Sequence, residues 1–279
     1  MTSRTGADAA DADSSPDADD GGLEDLDSSP DADDSGLEDL DSGRDADDSG
    51  PAADDGGIDE DDEVSPERAA LAAAVRRLGN AILGRELDPD QVEVMTGQLS
   101  AMADAIEQRP TVTKAESLFR RNRVASFVET GRWPEPPPDG AELEFDPASV
   151  VGGELNPFGM GARYYRRGDE AVGFATLGSC FEGPPERVHG GVICAIFDEV
   201  MGSVFRATGT PSAFTGELTV RFEAPAPLET ELEFRARRVA SKGRRQLLEG
   251  EARSPEGRFA TASATFIEMK PEHFPTAGG

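Results

Sequence analysis

Residues 189–207 read HGGVICAIFDEVMGSVFRA, and most of the fold follows from what this stretch demands. From about Gly191 to Ala207 it is apolar nearly all round, through Val192, Ile193, Ala195, Ile196, Phe197, Val200, Met201, Val204 and Phe205. A surface helix keeps one polar face, whereas a helix without one has to be enclosed. The flanking sequence supplies the enclosure. Residues 213–223 alternate Phe214, Gly216, Leu218, Val220 and Phe222 against Thr215, Glu217, Thr219, Arg221 and Glu223, the period of a strand with one buried face. Further strands are expected over 231–239, 244–253 and 258–267, with turns at Pro225-Ala-Pro227, Ser241-Lys-Gly243 and Ser254-Pro-Glu-Gly257. Residues 163–177 read as another strand or hairpin. One buried helix with about five antiparallel strands makes an α+β arrangement, a sheet wrapped around a helix.

Outward from this core the chain changes character. It has 279 residues and a formal net charge of −29, of which residues 1–64 hold 25 acidic against 2 basic side chains. Residues 13–26, an Asp followed by SSPDADDGGLEDL, recur almost unchanged at 27–40, with a decayed third copy at 41–50. Aromatic-free and acidic, this stretch cannot offset the entropy of ordering, so 1–64 is expected to be a disordered acidic tail. Asp31, Asp33 and Gly36 imitate the start of a calcium loop, but its twelfth position is Ser42 where a bidentate Glu is needed, and no metal site is expected. Ser65-Pro66 then opens a run with Leu71, Val75, Leu78 and Ile82 at helical spacing, and Asp88-Pro89 opens a second. Helices over roughly 66–84 and 89–107 form a hairpin (65–109) that packs on the main domain or on a partner chain. A Pro- and Arg-rich arm follows at 110–144, then the main domain at 145–270 and a C-terminal tail at 271–279.

Composition excludes several classes. No run of 18 apolar residues and no secretory signal are present, so membrane insertion and export are disfavoured and a cytoplasmic location is expected. Two cysteines, Cys180 and Cys194, are too few for a disulfide framework or a zinc site. A strongly acidic chain repels phosphate backbones, so nucleic acid is not an expected partner.

Chemistry concentrates at the ends of the buried helix. His189 precedes Gly190-Gly191 where backbone N–H groups are free and the helix dipole is positive, a place that collects anions or an oxyanion. The bland alternative is a tight turn that the glycines permit and His189 caps. Asp198 is costly in an apolar helix unless it is paired, exposed in a cleft or used, while Glu199 is expected to face solvent. Gly191 and Asp198 share a face but lie ~10 Å apart along the axis, which favours a site built across a dimer interface. By strict alternation Thr215 lies opposite Leu218, so it joins such a site only through a bulge or from outside its own subunit's core. Cys194 reads as core.

The stretch 182–198, EGPPERVHGGVICAIFD, closely resembles the His-Gly-Gly-(x)6-Asp signature of hotdog acyl-CoA thioesterases, in particular the PaaI-like group and the related animal thioesterase superfamily. The match continues through 215–222, Pro225, Pro227 and the strand 260–266, covering about 145–270. The resemblance implies a hotdog fold and hydrolysis of an acyl-CoA to free acid and CoA, without metal or redox cofactor, by a homodimer or dimer of dimers. Asp198 would activate water or attack directly. Gly191, with Gly190 beside it, would polarise the carbonyl, His189 would orient it, and Thr215 would position the carboxylate or water. The family's upstream amide points to Asn156, and Lys242 and Arg244, with Gly243 between them for close approach, offer cations for the CoA phosphates or are a solvated hairpin tip. Two other functions stand beside this one. They are a non-catalytic acyl-CoA-binding sensor or scaffold, and a hotdog dehydratase or hydratase using His273 of the His-Phe-Pro at 273–275.

Overall fold

The computed structural model describes residues 65–111, 127, 130–144 and 146–269. The acidic repeats at 1–64 and the tail 271–279 with His273 lie outside the described residues.

Two helices come first, α1 (Pro66–Leu83) and α2 (Pro89–Glu107). Each starts on a proline, whose missing N–H costs nothing in the first turn. Ser65 Oγ accepts from the Arg68 N–H at 3.4 Å, and the Asp88 N–H donates to Gln91 Oε1 at 3.3 Å. α1 docks on the domain by one face. Ala72 is buried, Arg76 Nη1 donates to the carbonyls of Glu154 (3.2 Å) and Asn156 (2.7 Å), and Asn80 Oδ1 accepts from the Cys180 N–H (3.0 Å). α2 has no buried residue at all.

Six strands form one antiparallel sheet: β1 (Arg163–Arg167), β2 (Glu170–Thr176), β3 (Ala213–Phe222), β4 (Glu231–Lys242), β5 (Arg245–Ser254) and β6 (Gly257–Glu268), in the order β1-β2-β4-β5-β6-β3. The count exceeds five because 163–177 is a hairpin, turned by Gly168 at φ +61°. The enclosed helix, α3 (Gly190–Ala207), connects β2 to β3 across one face of the sheet. Ile196, Phe197, Val200, Met201 and Val204 have no exposed surface and meet Leu232, Phe234, Leu248 and Phe266. Phe234 sits edge-on between Phe197 (5.3 Å) and Phe259 (5.8 Å). Gly250 lets the helix approach: a Cβ there would lie 2.8 Å from the Arg235 carbonyl oxygen and 3.0 Å from the Met201 side chain.

The sheet's two edges are treated differently. The end of the arm lies along β1, with the Gly140 N–H donating to Arg166 O (2.9 Å) and the Leu143 N–H to Tyr164 O (2.7 Å). That edge is covered. Among the described residues β3 pairs only with β6; Leu218 and Val220 pack half-buried against the core, but Phe214 and Phe222 are 61% and 51% exposed, which corrects the expectation that they too lie on a buried face. A free edge bearing aromatics calls for a partner. Among the described residues no helix is long and apolar enough to cross a membrane.

Candidate active site

β3 carries a bulge. Thr215 pairs with Phe266 and Glu217 with Thr265, so Gly216 is the extra residue. Residues opposite each other in an antiparallel pair share a face, and the extra residue puts Thr215, Leu218 and Val220 on the side of Phe266, Ala264 and Ala262. That side faces α3. Thr215 Oγ1 consequently donates to Asp198 Oδ1 at 2.5 Å, a short bond to a carboxylate. Both residues are exposed in the single chain.

At the N-terminus of α3, His189 is the N-cap, and its Nδ1 accepts from the Gly191 N–H at 2.9 Å. The imidazole proton therefore sits on Nε2. Val192 and Ile193 both donate to His189 O, at 3.0 and 3.3 Å. The one N–H of this first turn without a partner among the described residues is that of Gly190. The cap thus exists as the bland alternative has it, and it moves the free donor from Gly191, where it was expected, to Gly190. A Cβ on Gly190 would lie 3.3 Å from the ring of Phe222, so this aromatic borders the donor.

Glu199 does not face solvent. Its carboxylate accepts from Ser149 Oγ and from the Gly152 N–H (2.8 Å), tying the loop before β1 to α3. Burial pushes its carboxyl above the usual range, against the pull of those two donors. Burial, followed by the Glu199 charge, also pushes the neighbouring Tyr164 phenol well up. The signal was present in the sequence: Glu199 stands three residues after Ile196 and four before Ser203, both fully buried, and so shares their face. Phe222 was likewise not foreseen as part of the site.

The remaining candidates lie apart. Asn156 uses its whole amide within its own loop, Nδ2 donating to Ala148 O (3.1 Å) and Oδ1 accepting from the Phe158 N–H (2.8 Å). Neither group is brought to His189. Lys242, Gly243 and Arg244 form the β4–β5 tip, with Gly243 at φ +58° and Arg244 Nε donating to Glu268 O (3.1 Å). Cys194 is half-buried in α3. Among the described residues no three His, Cys, Asp or Glu side chains cluster as metal ligands.

Residues 186–261 match the model of the Thioesterase superfamily. A crystal structure described as a thioesterase superfamily protein superposes with a TM-score of 0.57 at 21% identity, over 72% of this chain and 90% of that one. The E. coli PaaI protein of the phenylacetic acid degradation operon matches at a TM-score of 0.38 and 14% identity, over 40% and 81%. A hypothetical thioesterase of Streptococcus pneumoniae, crystallised with coenzyme A, matches at 0.37 and 15%, over 39% and 85%. No curated protein matches the sequence significantly. Helix, bulge and His-Gly-Gly cap fall within the segment similar to the Thioesterase superfamily, and the folded domain has the hotdog fold.

Proposed function

We propose that the protein hydrolyses an acyl-CoA thioester to the free acid and CoA, as a homodimer, in the cytoplasm. The observation that carries this is the pairing of Asp198 with Thr215 on an open surface, in a chain whose helix N-terminus keeps one N–H free. Asp198 takes a proton from water, whose oxygen attacks the thioester carbonyl carbon. The Gly190 N–H stabilises the resulting oxyanion. Collapse breaks the carbon–sulfur bond, and the proton held by Asp198 passes to the departing thiolate. A carboxylate and an N–H suffice for this chemistry, so it needs neither metal nor redox cofactor.

Gly190 and Asp198 are eight residues apart on α3, ~12 Å along the axis, too far for one thioester carbon. A second copy joined at the free β3 edge, where Thr215, Phe214 and Phe222 stand exposed, would set the Gly190 of one chain near the Asp198 of the other. We assign His189 to orient the carbonyl through Nε2, and Lys242 and Arg244 with Gly243 at the β4–β5 tip to the CoA phosphates. The two free cysteines suit a reducing compartment. The test is thiol release from short, long and aromatic acyl-CoAs by wild type and Asp198→Asn. Turnover of at least one ester, mostly lost in the variant with binding retained, supports the proposal. No thiol release with acyl-CoA still bound overturns it in favour of an acyl-CoA-binding sensor.

A further inference from the structure

The thioesterase chemistry makes no use of α2, which nonetheless has the most ordered apolar pattern in the chain. Val92, Met95, Leu99, Met102 and Ile106 follow one another at steps of 3, 4, 3 and 4 residues, the spacing of a coiled-coil seam. Four of them are exposed, Val92 at 46%, Leu99 at 40%, Met102 at 61% and Ile106 at 63%. The positions bordering the seam are Gln91, Thr96, Gln98, Ala103 and Ala105, all uncharged. The acidic residues of this helix, Asp90, Glu93, Asp104 and Glu107, lie off the seam and its borders. α1 turns a second seam, Leu71, Val75, Leu78 and Ile82, away from its docked face. Between the two helices and the sheet lies an open cavity of about 1200 Å³, with Val75, Leu78, Ile82 and Leu99 on its walls.

We propose that α2 is the contact by which two catalytic dimers associate, pairing antiparallel with the α2 of a second copy through Leu99. Three features select that occupant. The seam is nearly symmetric about Leu99, so a two-fold axis there sets Val92 against the partner's Ile106 and Met95 against the partner's Met102, a self-complementary surface. The protein carries a net charge of −29, and two copies repel each other least where charge is absent, as it is along this seam and its borders. The antiparallel arrangement also places each helix's positive end beside the other's negative end. A membrane surface fits poorly, because it asks for Lys or Arg on the borders and α2 has neither.

This proposal takes the dimer of the proposed function as its unit but places its contact on α2, away from Asp198, Thr215 and Gly190, so its failure and the failure of the catalytic assignment are separable. The experiment is light scattering on the size-fractionated full-length chain, for wild type, for Leu99→Glu/Met102→Glu, and for Val94→Glu. Val94 is 60% exposed and lies off the seam, and so serves as the control. The double variant is expected to halve the mass while Val94→Glu leaves it unchanged. A mass unaffected by the double substitution, or a wild type that is already a dimer, overturns this proposal alone, and a monomeric wild type overturns the catalytic dimer with it. Should the double variant lose its helical circular dichroism, Leu99→Cys decides: mild oxidation should join two chains through position 99, as mapped by peptide mass spectrometry, and a failure to do so overturns it equally.

Discussion

Thr215→Val removes one hydroxyl from the edge strand and leaves the rest of the site in place. Valine suits a strand as well as threonine does, and Thr215 and Asp198 are both exposed in the single chain, where water replaces the lost bond, so stability should move by no more than about 0.5 kcal/mol. The lost bond runs from Oγ1 to Asp198 Oδ1 at 2.5 Å. A hydrogen bond to a charged group contributes roughly 1.5–3 kcal/mol, and at 1.36 kcal/mol per tenfold this corresponds to a fall in kcat of roughly 10- to 150-fold. KM should change little, because aiming the carboxylate matters when water is attacking and not when the ester first binds. Thiol release measured across substrate concentrations separates the two, and Thr215→Ser, which keeps the hydroxyl, should recover most of the rate. A Thr215→Val enzyme with more than half the wild-type kcat would refute the argument, and so would a loss of rate tracked by an equal loss of Tm.

Two further outcomes can be checked without substrate. Since burial holds Glu199 above the 4.5 of a free glutamate, the folded chain keeps a proton the unfolded chain has released, and stability falls as pH rises from about that value through the folded pKa. Melting curves of wild type and Glu199→Gln should therefore diverge as the pH rises above 4.5, with wild type losing ground; parallel curves refute the burial argument. Cys180 is exposed, whereas burial pushes the Cys194 thiol up, so maleimide should modify Cys180 first, and equal rates by peptide mapping would contradict this.

How far the fold could be read depended on whether a pattern is local. α1 and α2 announce themselves through proline starts and helical spacing, and α3 through apolarity on every side, because helix periodicity is complete within one segment. The face of Thr215 is not a local property. Alternation over 213–223 puts it opposite Leu218, and only the count of residues on β6 opposite Gly216 reveals the extra one. A glycine inside a strand is a hint of such a bulge and no more. Asn156 shows the converse difficulty: an amide upstream of a His-Gly-Gly looks available, yet its own loop uses both ends of it. Side-chain availability is a matter of which partners arrive, and these come from the loop's closure, which sequence spacing does not encode.

The role proposed for the His-Gly-Gly element rests on how the first turn of α3 distributes its donors. Four N–H groups at a helix start lack intrahelical partners, and left together they would spread their pull over any nearby oxygen. Here the His189 N–H is taken by the Phe181 carbonyl, that of Val192 by the His189 carbonyl and that of Gly191 by the His189 ring, leaving the Gly190 N–H as the one without a partner among the described residues. In the proposed mechanism the capping histidine is therefore not an alternative to the oxyanion site but the means of defining it. Glycine at 190 serves the same end, since a Cβ there would press on Phe222 at 3.3 Å and fill the space before the donor. Glycine at 191 lets the ring fold back, for a Cβ at that position would stand 3.1 Å from Nδ1. Each of the three residues thus has a separate steric or hydrogen-bonding reason, and together they focus the helix terminus on one point.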